Sequence, residues 1–248
     1  MTRSLEWSGC VNVRDLGGVP TSTGGETRFG AYVRADNIRR LTDDGWRALA
    51  DHGVVRIVDL RWREELEEDA PRDVDIDVVH VSLLGELDVD YKDDIEDYMA
   101  AGDPAGYWSS SYSGILEEYR ANFGRALAAI ADAPDGTVLF HCAGGKDRTG
   151  LVSALLLRLA GAPIDAIAED YALSGANLAR GPRTWIDSAP DEQVRRQREF
   201  MQQTPSAAMT RTLVQLEERY GSVEAYLLAA GLDGEQLARL RDRLARPV

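Results

Sequence analysis

Cysteine and histidine are scarce in this sequence. Its 248 residues include two cysteines, Cys10 and Cys142, and three histidines. Two thiols do not make the disulfide framework of a small secreted domain. The few histidines and cysteines also show no spacing typical of zinc ligands. We therefore expect no structural metal site, and a reducing environment in which Cys142 stays a free thiol.

Positive charge and long apolar runs are also lacking. Lysine and arginine together number 28 against 42 acidic residues, and the formal net charge is -14. This charge opposes approach to nucleic acid and to anionic membranes, although it allows a local basic pocket. No apolar run is long enough to cross a bilayer, so we expect no membrane insertion. The first ten residues lack the apolar core of a signal peptide, which predicts a cytoplasmic location.

No linker rich in proline, glycine or serine divides the chain, and no internal repeat is visible, so we predict a single domain over residues 1–248. Residues 54–60 and 78–81 are apolar, β-branched runs typical of buried strands, and residues 151–159 form an apolar helical run. This alternation favours an α/β fold with a central, mainly parallel sheet flanked by helices. Ligands of such sheets bind at the carboxyl ends of strands, where we expect both Asp59 and Cys142.

The composition changes between residues 86 and 112. Acidic residues crowd the first part of this segment against a single lysine, and a run of three serines follows. The segment contains little typical core material, so we expect a partly helical insertion. It either covers the site as a lid or forms a solvated surface excursion. Tyr107, Trp108 and Tyr112 would then line an aromatic slot for substrate or pack within the lid.

The loop over residues 141–150 carries the strongest functional signal. An apolar strand-like run leads into it and an apolar helix leads out, so Cys142 lies where a strand ends and a helix begins. Backbone N–H groups in such a loop can surround phosphate oxygens, and Gly144 and Gly145 allow close approach. Arg148 can offer two parallel hydrogen bonds to a phosphate. The predicted phosphate-binding residues are Ala143, Gly144, Gly145, Lys146, Asp147 and Arg148.

The same loop favours a reactive sulfur at Cys142. Only the thiolate is a good nucleophile, and the helix N-terminus, Lys146 and Arg148 all stabilise an anion. Thr149 can donate a hydroxyl hydrogen bond to the sulfur, and His141 can steady the loop through backbone contacts. We expect Cys142 to be a thiolate at neutral pH and to act as a catalytic nucleophile. The alternative is an inert, buried structural cysteine.

The spacing of Cys142 and Arg148 resembles the signature HCxxxxxR[ST]G of the cysteine-based protein tyrosine phosphatases. The variant HCxxGKDRTG is similar to that of an atypical bacterial family of tyrosine and lipid phosphatases. Residues 12–18, 32–36 and 58–61 match stretches of that family in order, and residues 226–244 look typical of its tail. The resemblance implies a cysteine-phosphatase fold and a phosphocysteine mechanism that needs neither a metal nor another cofactor. It also leaves open secretion without a signal peptide.

Two aspartates are candidates for the general acid. Asp59 ends a strand, where an acid on a separate loop would lie. Asp147 lies inside the phosphate loop, and the resemblance implies that the atypical family uses an aspartate there. We favour Asp147. The alternative for Asp59 is a buried carboxylate that pairs with Arg61 or caps a loop.

The sequence contains opposing signals about the substrate. Lys146 adds charge to the loop, and the resemblance leaves phosphoinositides open as substrates. Arg195, Arg196 and Arg198 would extend a basic rim, whereas the acidic segment would repel an anionic membrane. We expect a phosphatase of relaxed specificity that acts on phosphotyrosine proteins or peptides. A phosphoinositide phosphatase is the alternative, and a non-catalytic phosphate-binding module is the third hypothesis.

Overall fold

A five-stranded sheet forms the centre of the computed structural model, which describes residues 2–70, 72–85 and 95–245. The order across the sheet is β1-β2-β5-β3-β4, with β1 antiparallel to β2 and the other neighbours parallel. The prediction of an α/β fold with a mainly parallel sheet is therefore confirmed. The strands are β1 (Arg14–Asp15), β2 (Tyr32–Ala35), β3 (Val54–Asp59), β4 (Asp77–His80) and β5 (Thr137–His141).

Helices cover both faces of this sheet. They are α1 (Asp43–Asp51), α2 (Arg63–Glu68), α3 (Ile95–Ala101), α4 (Pro104–Glu118), α5 (Arg120–Ala131), α6 (Arg148–Leu159), α7 (Ile164–Leu178), α8 (Thr184–Asp187), α9 (Glu192–Met201), α10 (Ser206–Tyr220), α11 (Val223–Ala229) and α12 (Gly234–Leu244). A short 3-10 helix, Ile38–Arg40, precedes α1. Among the described residues, none of these helices combines the length and the apolar character needed to span a membrane.

Alternation along β5 divides the core into two parts. Val138 and Phe140 belong to the larger cluster, which also contains the apolar residues of α5 and α6. Leu139 belongs to a smaller cluster on the other face, where Leu49 of α1 packs. Successive side chains of a strand point to opposite faces, so both layers are anchored on one central strand. Cys142 follows β5 directly and therefore lies at the carboxyl edge in the middle of the sheet.

The helix α6 is buried on nearly its whole circumference. Eleven of its twelve residues are buried, from Arg148 to Leu159, and the exception is Arg158. A helix that is apolar all round is typical of a core position. The N-terminus of α6 is therefore held rigidly against the end of β5, and the loop between them has little freedom to move.

The segment predicted as a lid insertion, residues 86–112, lies only partly within the described residues, because residues 86–94 fall outside them. Residues 95–112 form α3 and the first half of α4. Tyr107, Trp108 and Tyr112 are buried in the larger core cluster. The expectation of weak core material is wrong for α4, because these three aromatic side chains outweigh the surrounding serines and glycines in buried apolar area.

A buried ionic cluster joins α7 to the edge of the sheet. Asp170 of α7 pairs with Arg14 of β1 at 3.0 Å, with Arg34 of β2 at 2.5 Å, and with Arg3. Burial alone would raise the pKa of Asp170, but the three arginines outweigh it and hold that pKa well below its usual range. Because two of these guanidiniums are fully buried, the carboxylate is needed to compensate their charge.

We expect the substitution Asp170→Asn to lower the free energy of unfolding by about 3 kcal/mol at neutral pH, because it leaves buried arginines unpaired. The midpoint of urea unfolding should fall without a change in slope. Since the folded-state pKa of Asp170 is depressed, the difference from wild type should be constant above the ordinary aspartate pKa of about 3.9 and shrink as the pH falls below it. Glu169→Gln, at the exposed neighbouring position of α7, is the control and should change little.

Candidate active site

The carbonyl oxygens of the loop between β5 and α6 accept hydrogen bonds on the side away from the pocket. Those of Ala143, Gly144 and Gly145 accept hydrogen bonds from segments far earlier in the chain. The donors are the backbone N–H of Asn37 to Ala143 at 3.0 Å, the side-chain amide of Asn12 to Gly144 at 3.0 Å and to Gly145 at 3.1 Å, and the guanidinium of Arg34 to Gly145 at 2.8 Å. The segments 12–18 and 32–36 therefore support the loop.

The N–H groups of the loop face the opposite side. In a planar trans peptide the C=O group and the following N–H point in opposite directions. The bound carbonyls therefore direct the N–H groups of Gly144, Gly145 and Lys146 away from the supporting side chains. None of these three N–H groups donates a hydrogen bond to a described residue. They are available to an anion in the pocket in front of the loop.

Gly145 allows the loop to lie this close to the sheet. Its φ of +63° is in the left-handed region, and a Cβ there would lie 2.5 Å from the carbonyl oxygen of Ala35. No residue with a side chain fits that space. Gly144 is different, because a Cβ at its position would have room.

The N-terminus of α6 adds further unpaired donors. Asp147 is the N-cap residue, but its side chain makes no capping hydrogen bond. The first-turn N–H groups of the helix are therefore not satisfied by a side-chain cap, and the helix dipole favours an anion beside them. Cys142 lies at the other end of the same loop, with 2% of its surface exposed. Together, the loop and the helix start present unpaired N–H donors beside Cys142, which is itself buried and does not line the pocket.

Arg148, the first residue of α6, is held by α2. Its guanidinium makes two hydrogen bonds to the carboxylate of Glu65, at 2.5 and 2.9 Å, and lies 4.3 Å from the ring centroid of Trp62. Burial would lower the pKa of Arg148, but the bond to Glu65 outweighs it and raises that pKa. This end-on pair leaves the Nε–H and the adjacent Nη–H without partners among the described residues, and this edge can bind two phosphate oxygens.

Lys146 is buried and already has partners. Its ammonium group donates to the carbonyl oxygen of Met201 at 2.5 Å and lies 3.2 Å from Asp147. It also lies 3.7 Å from the ring centroid of Trp108. Burial lowers the pKa of Lys146, although Asp147 opposes the shift. The charge of this lysine is therefore committed to protein groups, rather than free to bind a second phosphate.

The two candidate acids lie in different environments. Asp147 lines the pocket and has 37% of its side chain exposed. Asp59 does not line this pocket, is buried, and pairs side-on with Arg61 at 2.7 and 3.0 Å. Nε2 of His141 also lies 3.5 Å from Oδ2 of Asp59. Burial would raise the pKa of Asp59, but His141 and Arg61 outweigh it and lower that pKa.

The two supporting residues behave differently from each other. The ring of His141 lies 3.3 Å from the carbonyl oxygen of Cys142, which fits the expected steadying contact. Burial lowers the pKa of His141, although the charge of Asp59 opposes the shift. The hydroxyl of Thr149 makes no hydrogen bond to Cys142 or to any other described residue. The expected Thr149–sulfur bond is therefore absent, because the position of Thr149 is fixed by the first turn of α6 rather than by the sulfur.

The pocket in front of the loop has a volume of about 450 Å³ and aromatic walls. Trp62, Trp108 and Trp185 line it. None of the described arginines of α9 that were expected to extend a basic rim lies in its lining. Within residues 2–70, 72–85 and 95–245, no three histidine, cysteine, aspartate or glutamate side chains gather as metal ligands would. The pocket therefore combines aromatic walls with the unpaired donors of the loop.

The sequence alone does not identify several residues of this site. Glu65 and Trp62 contact Arg148 across 83 and 86 positions of the chain, and no local pattern points to them. Near α2, Glu65 stands three residues after Trp62, and its carboxylate accepts a hydrogen bond from the backbone N–H of Trp62 at the start of the helix. This local contact does not indicate that either residue reaches Arg148. Asn12 and Arg34 lie in segments that match the resembled family, but a motif match does not say what each residue contacts.

Comparison with known proteins agrees with this geometry. A family model described as the tyrosine phosphatase family matches residues 5–246. The chain therefore belongs to the tyrosine phosphatase family and is a phosphomonoesterase. It is 32% identical over 226 residues to a tyrosine-protein phosphatase of Nostoc commune, covering 87% of this chain and 74% of that one. It is 27% identical over 278 residues to the triple specificity protein phosphatase PtpB of Mycobacterium tuberculosis, covering 95% and 97% of the two chains.

We expect Glu65→Gln to lower kcat/KM for an aryl phosphate by about 10- to 100-fold, because a charge-assisted pair holds Arg148 in place. Glutamine keeps an oxygen for the N–H of Trp62, so α2 should stay intact. Affinity for inorganic phosphate, measured by calorimetry, should fall in parallel with kcat/KM. Glu64→Gln, on the exposed side of the same helix, is the matched control. Wild-type kinetics in Glu65→Gln would show that Arg148 does not need this partner.

Proposed function

We propose that this protein is a cysteine-dependent phosphatase that hydrolyses phosphotyrosine in proteins or peptides, with relaxed specificity, through a phosphocysteine intermediate. One observation carries the proposal: the loop carbonyls are bound from behind, so the N–H groups of Gly144, Gly145 and Lys146 converge on the side of the pocket. They surround an anion beside Cys142 without rearranging. Membership of the tyrosine phosphatase family supports the same chemistry.

Each residue of the loop has a part in the proposed reaction. The thiolate of Cys142 attacks phosphorus, a sulfur–phosphorus bond forms, and the bond to the phenolic oxygen breaks. The free edge of Arg148 and the loop N–H groups bind the equatorial oxygens. A proton from Asp147 goes to the leaving oxygen. Asp147 then takes a proton from the water that attacks the phosphocysteine, which releases phosphate and restores the thiolate.

Exposure and charge favour Asp147 over Asp59 as the acid. Asp147 lines the pocket, whereas Asp59 is buried and contacts both Arg61 and His141. The lowered pKa of Asp59 keeps it a carboxylate, which cannot donate a proton at neutral pH. We therefore assign Asp59 the role of holding Arg61 and His141 behind the loop.

Three features favour an aryl phosphate over a phosphoinositide. The pocket walls are tryptophans, which suit an aromatic ring. Lys146 is already engaged by Asp147 and by the carbonyl oxygen of Met201. The arginines of α9 lie outside the pocket. The mycobacterial relative is named a triple specificity protein phosphatase, and we extend a relaxed protein specificity to this chain.

The assignment of the acid is tested by comparing Asp147→Asn with Asp59→Asn across pH. Asp147→Asn should lower kcat by about 10²- to 10⁴-fold and remove the limb of the rate profile that reports the acid. Asp59→Asn should keep that limb but lower the free energy of unfolding by about 3 kcal/mol, because Arg61 loses its closest carboxylate and retains only Asp69. Loss of the limb in Asp59→Asn alone would reverse the assignment.

The substrate class and the nucleophile are tested together. The experiment measures phosphate release from phosphotyrosine peptides and from phosphoinositide micelles side by side, for the wild-type protein and for Cys142→Ser. The wild-type protein should release phosphate at least about tenfold faster from the peptides than from the micelles. One unfavourable charge contact with the lipid would account for a difference of this size. Cys142→Ser should release no phosphate from either substrate while it still binds inorganic phosphate, because the loop donors remain.

The outcomes separate the hypotheses. Turnover that survives in Cys142→Ser rules out the phosphocysteine intermediate. Preference for the micelles selects the phosphoinositide alternative and leaves the mechanism unchanged. Phosphate binding by the wild-type protein with no turnover of any phosphomonoester would indicate a non-catalytic phosphate-binding module.

A further inference from the structure

One face of α4 contacts two consecutive residues of the phosphate loop. Trp108 lies under the ammonium group of Lys146, with 3.7 Å between that nitrogen and the ring centroid. Four positions later, the hydroxyl of Tyr112 donates a hydrogen bond to Oδ1 of Asp147. Residues four apart share a helix face, and the two rings stack 5.2 Å apart at an interplanar angle of 29°. Thus α4 holds both Lys146 and Asp147.

A second tyrosine continues this chain of hydrogen bonds. The hydroxyl of Tyr171, on α7, lies 2.8 Å from that of Tyr112. Both side chains are buried, with exposed fractions of 1% and 0%. Tyr112 has one hydroxyl hydrogen, and it goes to Asp147. Tyr171 must therefore be the donor in the bond between the two tyrosines.

These contacts make the two carboxyl oxygens of Asp147 unequal. Oδ1 accepts from Tyr112 and lies 3.2 Å from Nζ of Lys146. Oδ2 has no hydrogen-bond partner in the part of the chain that the structure describes. Since Asp147 lines the pocket, a proton on Oδ2 is the one that can reach a leaving group.

We propose that the paired hydroxyls of Tyr112 and Tyr171 are positioning groups for Asp147, which fix its Oδ1 so that Oδ2 delivers the proton to the leaving oxygen. This inference rests on the proposed role of Asp147 as general acid. The proton moves from Oδ2 to the phenolate oxygen as the phosphorus–oxygen bond breaks. The resulting carboxylate, still bound by Tyr112, accepts a proton from the hydrolytic water in the second step.

The tyrosines orient the acid and do not themselves transfer a proton. Burial, together with the nearby charge of Asp147, raises the pKa of both Tyr112 and Tyr171 well above the usual range. Both hydroxyls therefore stay protonated throughout the reaction. An acid held by a rigid, buried pair needs no reorientation when the leaving group departs.

The test is the dependence of Tyr112→Phe on the leaving group. A general acid matters most when the leaving group is strongly basic, as phenol is, with a pKa of about 10 like that of tyrosine. In Tyr112→Phe, kcat/KM should fall about tenfold for phenyl phosphate, and by less than about threefold for p-nitrophenyl phosphate, whose leaving group is far more acidic. Tyr171→Phe should show the same selectivity with a smaller loss, because Tyr112 still contacts Asp147.

Tyr226→Phe is the matched control. Tyr226 is also fully buried, but its hydroxyl donates to the carbonyl oxygen of Leu116 on α4 rather than to a residue of the loop. This variant should lose some stability while the ratio of the two kcat/KM values stays at the wild-type figure. Circular dichroism on all variants checks folding. If Tyr112→Phe does not fold, the ratio in Tyr171→Phe decides the matter.

Asp147→Asn separates this inference from the proposed function. If the ratio of kcat/KM for the two substrates in Asp147→Asn equals the wild-type ratio, Asp147 is not the general acid. The proposed function is then wrong in its assignment of the acid. A selective loss in Asp147→Asn with an equal loss for both substrates in Tyr112→Phe overturns only the positioning role. Support requires both variants to be selective, and the double variant to lose no more than Asp147→Asn alone.

Discussion

The loop between β5 and α6 depends on hydrogen bonds that the carbonyl oxygens of three of its residues accept on the side away from the pocket. Asn12, Arg34 and the backbone of Asn37 bind the carbonyl oxygens of residues 143–145, and the opposite N–H groups have no partner among the residues that the structure describes. A buried backbone donor without a partner costs free energy, and an ordinary loop would turn to satisfy it. Here the carbonyl contacts prevent that turn. In the proposed function a bound phosphate restores the missing hydrogen bonds, and the unfavourable loop becomes the source of affinity for the anion.

That arrangement places further demands on distant parts of the chain. Arg34 reaches the loop as a fully buried guanidinium, which needs a compensating charge. Asp170 of α7 supplies it and binds Arg14 of β1 as well. The next residue along α7, Tyr171, contributes to the hydrogen bonds at the front of the loop. One turn of α7 therefore stabilises the loop from behind and, through Tyr112, orients Asp147 at the front.

The sequence predicts local secondary structure, but it does not predict contacts between residues that are far apart in the chain. The α/β sheet, the strand before Cys142 and the helix after it follow from apolar periodicity and were found as expected. Glu65 and Tyr112 were not linked to the loop, because their contacts with Arg148 and Asp147 join separate elements with no shared pattern. The Thr149–sulfur bond was wrong for a related reason: adjacency in sequence does not determine where a hydroxyl points.

Charge pairing within the pocket leaves this acidic protein little free positive charge there. Glu65 neutralises Arg148, and Asp147 neutralises Lys146. Exposed Arg40 is then the one charged side chain lining the pocket that has no ion pair among the described residues. A net charge of -14 repels dianions at long range. In the proposed function, binding therefore depends on short-range donors, namely the loop N–H groups, the start of α6 and the free edge of Arg148, together with the uncompensated charge of Arg40. In the proposed function these donors serve one phosphate, which is why a protein substrate is favoured there over a lipid with several phosphates.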